Sequence, residues 1–326
     1  MSQSTEGGRG AATRAPRRGQ KGRGQTPRGR GPRQSPWWAL LFVGPVMVLF
    51  AVLFAYPFVR TVWLSFLQRG PFGGYKYIGL KNYRELISNS GDFLAALGHT
   101  VEYSLIALLG IPIAAVIATL LNTKGLRGKS VYRTLYYLPV VTLPAVVGMV
   151  WRLIYNGDYG ILNQLLGIFG LSGRSWVSDP KTIIPAVAVV AIWAGLGTNI
   201  IILLAGLQSI PETLYEAATL DGAGRVKTFL HVTLPLLSPT LFLVTVMGVI
   251  GCLQVFDLFY VMMGGGFVQT NPAGKAATTI MTLFYQQGFG QNRFGYAATI
   301  GLALMVLILA LTILQFRLQR RWVHYE

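Results

Sequence analysis

The side chains best suited to bind a ligand lie near the end of the fifth long apolar segment of the chain, residues 236–263. Gln254 and Asp257 are three residues apart, so a helix through this segment would present an amide and a carboxylate on one face. These groups hydrogen-bond to hydroxyls, and the nearby rings of Phe256 and Tyr260 would stack on the face of a sugar ring. A charged group inside an apolar span is costly and is often functional. The segment therefore predicts contacts to a polyhydroxylated ligand.

Two residues of the preceding apolar segment, Trp193 and Asn199, are candidates for the opposite wall of the same site. Their ring and amide offer the same chemistry of stacking and hydrogen bonding. Other interpretations of Asp257 stay open at this point. These are that Asp257 lies near the outer surface, or that it pairs with Arg152 or with another subunit.

A polar island, residues 209–235, separates these two apolar segments. Pro211 suits the first turn of a helix, where its missing N–H costs nothing, and Glu212 would then lie near the positive end of the helix. We therefore predict a short helix over residues 212–220. The residues expected to pack against the rest of the protein are Leu214, Ala217, Ala218 and Leu220.

The island also predicts a tight turn and a second helix. Asp221 and Gly222 would end the first helix, because glycine permits a left-handed backbone. A second helix over residues 225–232 would be closed by Pro235, since the residue before a proline disfavours the helical conformation. A short helix that ends in a tight turn is rigid, so it can transmit a conformational change from one protein to another.

The sequence holds no set of residues for catalysis or for a metal. His99, His231 and His324 are scattered, and the single cysteine, Cys252, lies in an apolar run. The stretch 125–130, Gly-Leu-Arg-Gly-Lys-Ser, lacks the first glycine of a phosphate-binding loop, and an apolar span precedes it instead of a strand. We expect no enzyme activity, no bound metal or other cofactor, and no ATP site in this chain.

Composition and hydropathy predict an all-α integral membrane protein. The chain has 326 residues, of which 52% are hydrophobic and 12% are charged. A soluble protein carries about twice this share of charged residues. Several apolar runs exceed the roughly 20 residues that cross a bilayer. The predicted spans, which together form a transmembrane domain over residues 37–326, are 37–59, 99–121, 134–155, 182–207, 236–263 and 296–316.

The net charge of +17 fits a membrane topology. With the N-terminus in the cytoplasm, the four inner segments hold 18 of the 28 Lys and Arg residues, which predicts six spans with both termini inside. This orientation also places the polar island in the cytoplasm. Residues 1–36 are predicted to be a disordered cytoplasmic tail facing anionic lipid, because they are rich in Gly, Arg and Pro. Arg-Gly repeats are also typical of RNA-binding tails, but we expect no specific nucleic acid partner.

The polar island resembles the EAA loop of the permease subunits of ABC transporters. The shared order is Glu216-Ala217-Ala218, three further residues, Gly222, and later Leu234-Pro235. Other stretches that resemble the sugar-type permeases are Tyr77–Tyr83, Arg133–Pro139, Tyr215–Ala223 and Phe294–Ala298. The likeness covers nearly the whole chain after residue 36.

This resemblance implies the architecture of a type I ABC importer permease, in which the EAA loop docks into an ATPase subunit. Glu216 would bind a basic group of the ATPase, Ala217 and Ala218 would allow close approach, and Gly222 would form the turn. The full set of residues implied in ATPase coupling is Glu216, Ala217, Ala218, Asp221, Gly222 and Pro235.

The resemblance also implies partners and a location. The partners would be ATPase subunits that use ATP and Mg²⁺, a second permease chain forming a heterodimer, and an extracytoplasmic sugar-binding protein. The chain would lie in a bacterial-type plasma (inner) membrane, in contact with lipid. The function implied is the import of an oligosaccharide, a sugar or a related polyol or glycerol phosphate by alternating access. The alternatives are a secondary transporter in which Asp257 binds a proton or cation, and an ABC permease for peptides or amino acids.

Overall fold

The structure is a computed structural model that describes residues 36–70, 73–123, 125–265 and 272–320. The tail predicted for residues 1–36 lies outside the described residues, apart from residue 36. The chain divides into two units between Ala55 and Tyr56. The described part of the first unit is a helix, Pro36–Phe50, followed by a π-helical turn, Ala51–Ala55.

The second unit is mainly helical and includes a small β-hairpin. Its strands, Leu67–Arg69 and Tyr75–Tyr77, pair antiparallel with Leu67 opposite Tyr77. Its α-helices are Tyr56–Leu64, Lys81–Ser88, Gly91–Ala107, Gly110–Leu121, Lys129–Val141, Pro144–Ile154, Ile161–Ile168, Ile183–Gln208, Glu212–Leu220, Arg225–Thr228, Leu234–Leu236, Ser238–Leu253, Asp257–Met262, Pro272–Ala276, Ile280–Tyr285 and Phe294–Gln319. Its π-helical turns are Phe229–Thr233 and Gln286–Gly290.

Four helical segments among the described residues are long and apolar enough to cross a membrane. They are Leu41–Leu64, Gly91–Leu121, Ile183–Gln208 and Phe294–Gln319. The 26 residues of Ile183–Gln208 rise about 39 Å, which exceeds the roughly 30 Å of a hydrocarbon core. Two bent pairs of helices also qualify if each pair counts as one span, so the described chain has four to six candidate spans.

The first bent pair lies in the region predicted as a span over residues 134–155. Thr134–Val141 and Pro144–Ile154 are bent by 108°. The intervening Leu143 is extended, with φ −60° and ψ 133°, because the ring of Pro144 disfavours the helical conformation of the residue before it. The second pair, Arg225–Leu236 with Ser238–Leu253, is bent by 70°.

Helix Ile183–Gln208, called span four below, is central to the packing of the second unit. It contacts helices Gly91–Ala107, Gly110–Leu121 and Lys129–Val141. A β-carbon at Gly197 would collide with the carbonyl oxygen of Tyr136. Glycine at this position therefore allows the two helices to approach closely, as small residues do in membrane helix packing.

A buried apolar cluster fixes helix Asp257–Met262, called the short helix below, against its neighbours. Phe259 and Met262 of the short helix are almost fully buried, and they pack with Val187 and Val190 of span four and with Val147 of Pro144–Ile154. The short helix and span four, which carry the candidate ligand contacts, are therefore held by one shared core.

Candidate functional site

The segment that contains Gln254 and Asp257 is not one helix. The long helix Ser238–Leu253 ends before Gln254, residues 254–256 are not helical, and the short helix begins at Asp257. The prediction that the amide and the carboxylate share one helix face is therefore wrong. Gln254 is the first residue of this break in the predicted span 236–263, called span five below, and Asp257 directly follows the break. Both side chains are exposed.

Buried groups from a later part of the chain hold this break. Val255 is buried, and its carbonyl accepts a hydrogen bond from Thr279 Oγ1 at 3.3 Å. Thr279 is itself fully buried and caps helix Ile280–Tyr285 through a capping box with Thr282. A carbonyl that has lost its helical partner thus finds another, as buried polar groups require.

Asp257 and Arg152 form no ion pair in the part of the chain that the structure describes. The guanidinium of Arg152 lies against Gly264, where a β-carbon would stand 2.8 Å from Nη1. Asp257 occupies the first turn of the short helix, where the helix dipole favours a carboxylate. The pairing with Arg152 that the sequence left open is therefore not made within this chain.

Tyr260 belongs to a group of aromatic rings beside the break. Its ring centroid lies 5.2 Å from that of Phe256 and 5.3 Å from that of Tyr285. All three rings are half-buried. Sequence reasoning found Phe256 and Tyr260 but missed Tyr285, because a residue distant along the chain gives no local signal of this contact.

The two candidates on span four point in different directions. Trp193 is 38% exposed, and its ring meets that of Trp151 edge-on at 5.7 Å. Asn199 is half-buried beside Gly195, where a β-carbon would be 4.0 Å from the amide nitrogen. Trp193 and Asn199 are six positions apart, and six steps of about 100° in a regular α-helix leave them about 240° apart around its axis. The two side chains therefore leave span four on different faces. The structure does not place them on one wall.

The helix predicted over residues 212–220 is confirmed as Glu212–Leu220, called the loop helix below. It ends in a Schellman turn, in which Ala223 N donates to Ala218 O at 2.9 Å and Gly222 N donates to Thr219 O at 3.1 Å. Gly222 has φ +71°, a left-handed conformation that glycine adopts readily. The turn predicted at this position is therefore present.

The outer surface of the loop helix combines acidic and apolar side chains. Glu216, Ala217 and Asp221 are exposed, and Leu220 is 89% exposed. Ala218 is buried, as predicted, and Leu214 is 37% exposed, whereas the predicted packing of Ala217 and Leu220 is wrong. Leu220 is the last residue of the loop helix, and the rest of the described chain leaves most of its side chain uncovered.

The loop helix is attached to the spans on both sides of it. Thr233 Oγ1 donates to the hydroxyl of Tyr215 at 3.3 Å. Tyr215 also packs against a buried cluster that includes Leu207 at the end of span four and Leu237 before the long helix. A force applied to the loop helix would therefore reach both spans.

The second helix of the island differs from its prediction. The α-helix Arg225–Thr228 passes into a π-helical turn, Phe229–Thr233, and the helical path continues through Pro235 to Leu236. The prediction that Pro235 closes the helix is therefore wrong. A proline cannot donate its backbone N–H, and the wider turn, with Leu234 N bonded to Phe229 O, accommodates that loss.

Comparison with known proteins identifies the family. The family described as binding-protein-dependent transport system inner membrane component matches residues 110–324. The chain is 34% identical over 280 residues to the arabinooligosaccharides transport system permease protein AraP of Bacillus subtilis, covering 85% of this chain and 87% of that protein. It is 32% identical over 295 residues to the sn-glycerol-3-phosphate transport system permease protein UgpA of Yersinia pestis, covering 89% and 96%.

The fold also matches a solved structure. A bacterial ABC transporter involved in the import of the acidic polysaccharide alginate superposes with a TM-score of 0.77 at 24% identity, over 87% of this chain and 96% of that chain. These matches confirm the resemblance to sugar-type ABC permeases and a multi-pass location in the inner membrane. The chain belongs to the family of binding-protein-dependent transport system inner membrane components.

Proposed function

We propose that this chain is the permease subunit of an ABC importer that carries a sugar, an oligosaccharide or a related polyol or glycerol phosphate by alternating access. The observation that carries the proposal is the break in span five, with Gln254 exposed at its first residue and Asp257 exposed directly after it. The family and the relatives named for arabinooligosaccharides and glycerol phosphate support the same substrate class.

The break is physically reasonable only beside water or protein. Non-helical backbone at membrane depth is tolerated where it is buried in protein or lines a water-filled cavity. A carboxylate facing lipid would cost about 2.5–3.5 kcal/mol at the centre of the bilayer. We therefore assign the exposed side of the break to the transport path and not to the lipid. Gln254 and Asp257 would bind substrate hydroxyls, and Tyr260 would stack on a sugar ring.

Trp193 and Asn199 take lesser parts in this proposal, because they leave span four on different faces. Asn199 would contribute an amide to the path, and its neighbour Gly195 leaves room beside it. Trp193 would support the path through its contact with Trp151.

The loop helix would be the contact with the ATPase subunits. Leu220 at the end of the loop helix is 89% exposed, and Val226 in the helix after the turn is 73% exposed. Together they would form an apolar tip for the ATPase, since an exposed apolar patch rimmed by polar residues marks an interaction surface. Glu216 would pair with a basic group of the ATPase. The turn at Gly222 and the helical path through Pro235 would hold this tip at a fixed angle. ATP and Mg²⁺ would be bound by the ATPase and not by this chain.

The remaining partners and the topology of this proposal are those that the family resemblance and the charge distribution imply. A second, different permease chain would complete the path, and an extracytoplasmic binding protein would deliver the substrate. With six spans and both termini inside, the loop helix would face the cytoplasm, where the ATPases bind. The tail, residues 1–36, would face anionic lipid on the same side.

Purification followed by transport assays tests the proposal. The chain would first be isolated in mild detergent from its native membrane, and we expect an ATPase, a second permease and a binding protein to be recovered with it. The complex in proteoliposomes would then be tested for uptake of labelled arabinotriose, sn-glycerol 3-phosphate and an alginate trisaccharide. ATP-dependent uptake of at least one of them, lost in Glu216→Lys, is the expected result. Uptake that collapses with a protonophore and does not require ATP would refute the proposal in favour of a secondary transporter.

A further inference from the structure

A polar cavity lies between the β-hairpin, helix Lys81–Ser88 and the start of the last span, Phe294–Gln319. Its volume is about 310 Å³, and we call it the hairpin cavity. The charged side chains that line it are Arg69 of the hairpin, Lys81 and Glu85 of the helix, and Arg293 directly before the last span. None of the described residues that line it belongs to the break in span five, so this cavity is separate from the proposed substrate contacts.

Buried polar contacts hold the walls of the hairpin cavity together. Asn82 is buried, and its Nδ2 donates to the carbonyl of Ser65 at 2.7 Å and to that of Leu67 at 3.1 Å. These bonds join the helix to the first strand of the hairpin. A β-carbon at Gly295 would collide with the same carbonyl of Leu67, so the start of the last span lies directly against this strand. The cavity therefore has a fixed shape.

The charges in the hairpin cavity are not balanced. Glu85 is the one carboxylate among the described residues that line it, and it pairs with Arg293. Arg293 also donates from Nη1 to Gln287 Oε1 at 3.1 Å. Arg69 and Lys81 form no ion pair in the part of the chain that the structure describes. The cavity thus holds two positive charges that no acidic side chain of the described chain neutralises.

The guanidinium of Arg69 is held in position at the edge of the cavity. Its Nη1 donates to Asn292 Oδ1 at 3.3 Å, and its Cζ lies 5.1 Å from the centroid of the Phe294 ring. Asn292 has φ +57°, and no other residue with a β-carbon among those described is left-handed. Such backbone conformations cost energy and are found most often at functional sites. An arginine fixed in this way loses less entropy when it binds a carboxylate.

The position of the hairpin cavity narrows the choice of anion. The proposed orientation places it on the extracytoplasmic side, where basic residues are not needed as a topological signal. The negative surface potential of a membrane belongs to the cytoplasmic leaflet, which argues against lipid headgroups. A neutral sugar gains nothing from a net positive charge. A carboxylate of another protein fits best, since paired cations replace the water that a carboxylate loses on binding.

We propose that the hairpin cavity is a docking site for an acidic side chain, aspartate or glutamate, of the extracytoplasmic binding protein. This inference rests on the proposed function and on the orientation with both termini inside. Arg69 and Lys81 bind the carboxylate, and the volume admits one such side chain with a few water molecules, each of about 30 Å³. Charge complementarity of this kind speeds the encounter of two proteins and fixes the register in which they meet.

The test measures the affinity of the recovered binding protein for the full complex in nanodiscs of phosphatidylcholine, a lipid without net charge. At about 0.05 M salt, we expect Lys81→Gln to lower the affinity about threefold, as loss of a partly exposed ion pair does. The double variant Arg69→Gln, Lys81→Gln should lower it about tenfold. Lys81→Arg keeps the charge and should stay within about twofold of the unaltered chain. All these differences should shrink at about 0.5 M salt, because salt screens exposed charges.

The matched control is Lys76→Gln. Lys76 is exposed on the second strand of the hairpin, opposite Gln68, and does not line the cavity. This variant removes the same charge from a neighbouring position, so its affinity should not change. The side chain of Lys81 makes no hydrogen bond or ion pair among the described residues, so Lys81→Gln should fold normally, which the unfolding midpoint in detergent checks. If the double variant unfolds early, Lys81→Gln alone decides the question.

Two results at low salt would overturn the docking site. One is an affinity of Lys81→Gln equal to that of the unaltered chain. The other is an equal loss in Lys76→Gln, which would show a general attraction between charges. If no binding protein binds the unaltered complex, the proposed function fails and the docking site fails with it. Binding that does not depend on Lys81 leaves the proposed function intact and refutes the docking site alone.

Two further measurements separate the other sources of an anion. Inorganic phosphate and glucuronate would be titrated onto the complex without the binding protein. Saturable binding of either one, lost in Lys81→Gln, would assign the cavity to a free anion and overturn the docking site. An effect of Lys81→Gln that appears only when phosphatidylglycerol is added to the nanodiscs would assign the cavity to lipid headgroups, with the same consequence.

Discussion

Gly222 offers the sharpest test of the loop helix as an ATPase contact. Its φ of +71° is a left-handed conformation, which costs roughly 1–2 kcal/mol for a residue with a β-carbon. Among the described residues, no atom lies within 4 Å of the position that this β-carbon would occupy. The substitution Gly222→Ala therefore changes the backbone energy of the turn without a steric collision.

The size of the effect follows from that strain. If the turn must be left-handed for the loop helix to dock, the strain reduces the fraction of molecules in the competent state. The apparent affinity for the ATPase should then fall by up to about 5- to 30-fold, the limit reached when the turn has no stability to spare, since each 1.4 kcal/mol corresponds to a factor of ten. Gly222→Asn should fall less, because asparagine tolerates this conformation better than alanine.

The chain itself supplies the matched control. Gly224 lies two residues later with φ −70° and ψ 165°, and the described structure leaves the space around its missing β-carbon open as well. Gly224→Ala should therefore bind the ATPase normally. The assay is a titration of purified ATPase subunit onto the chain in nanodiscs. Equal binding by Gly222→Ala and the unaltered chain, or an equal loss in Gly224→Ala, would refute the reasoning.

Three further predictions concern stability. A β-carbon at Gly295 would collide with the carbonyl of Leu67. Gly295→Ala should therefore lower the unfolding midpoint in detergent, with an overpacking cost of about 1–3 kcal/mol. Gly98→Ala should not lower it, because the space around Gly98 is open among the described residues. Asn163 donates to the carbonyls of residues 156, 157 and 174 and accepts from Trp176 Nε1 at 2.8 Å. Asn163→Ala should therefore speed limited proteolysis of segment 156–176, which includes helix Ile161–Ile168, and a rate equal to that of Gln164→Ala would contradict this. Glu85 pairs with Arg293, and both side chains are partly exposed, at 30% and 39%. Glu85→Gln should therefore lower the unfolding free energy by less than about 1 kcal/mol. A salt-independent loss of several kcal/mol would contradict this prediction.

Local signals made parts of the polar island predictable. Pro211 before the loop helix and Gly222 after it mark the two ends, and the structure has the helix between the same residues. Apolar runs likewise located span four, predicted over residues 182–207 and observed as Ile183–Gln208. Both signals act over a few residues, so tertiary packing does not override them.

The break in span five could not be predicted from its own residues. Gln254, Val255 and Phe256 include neither glycine nor proline, and the preceding apolar run favours a continuous helix. The hydroxyl of Thr279 provides the alternative partner for the carbonyl of Val255. Such a contact between distant parts of the chain leaves no periodic pattern to read.

Pro235 and Leu220 were predicted wrongly for different reasons. Proline normally ends a helix, but the π-helical turn Phe229–Thr233 absorbs its missing donor. The apolar Leu220 fits the packing face by periodicity, yet it is 89% exposed. Periodicity identifies which side chains are apolar but not whether their partner belongs to the same polypeptide.

The exposed tip of the loop helix has a consequence for the cell that makes this protein. If the loop helix binds the ATPase in the cytoplasm, as proposed, a chain without that partner would present Leu220 and Val226 to chaperones and membrane proteases, which recognise exposed apolar groups. Surplus copies should therefore be short-lived, and assembly would protect the rest. On this proposal, the tip would link the lifetime of each subunit to the supply of its partner and would keep the two in balance after synthesis.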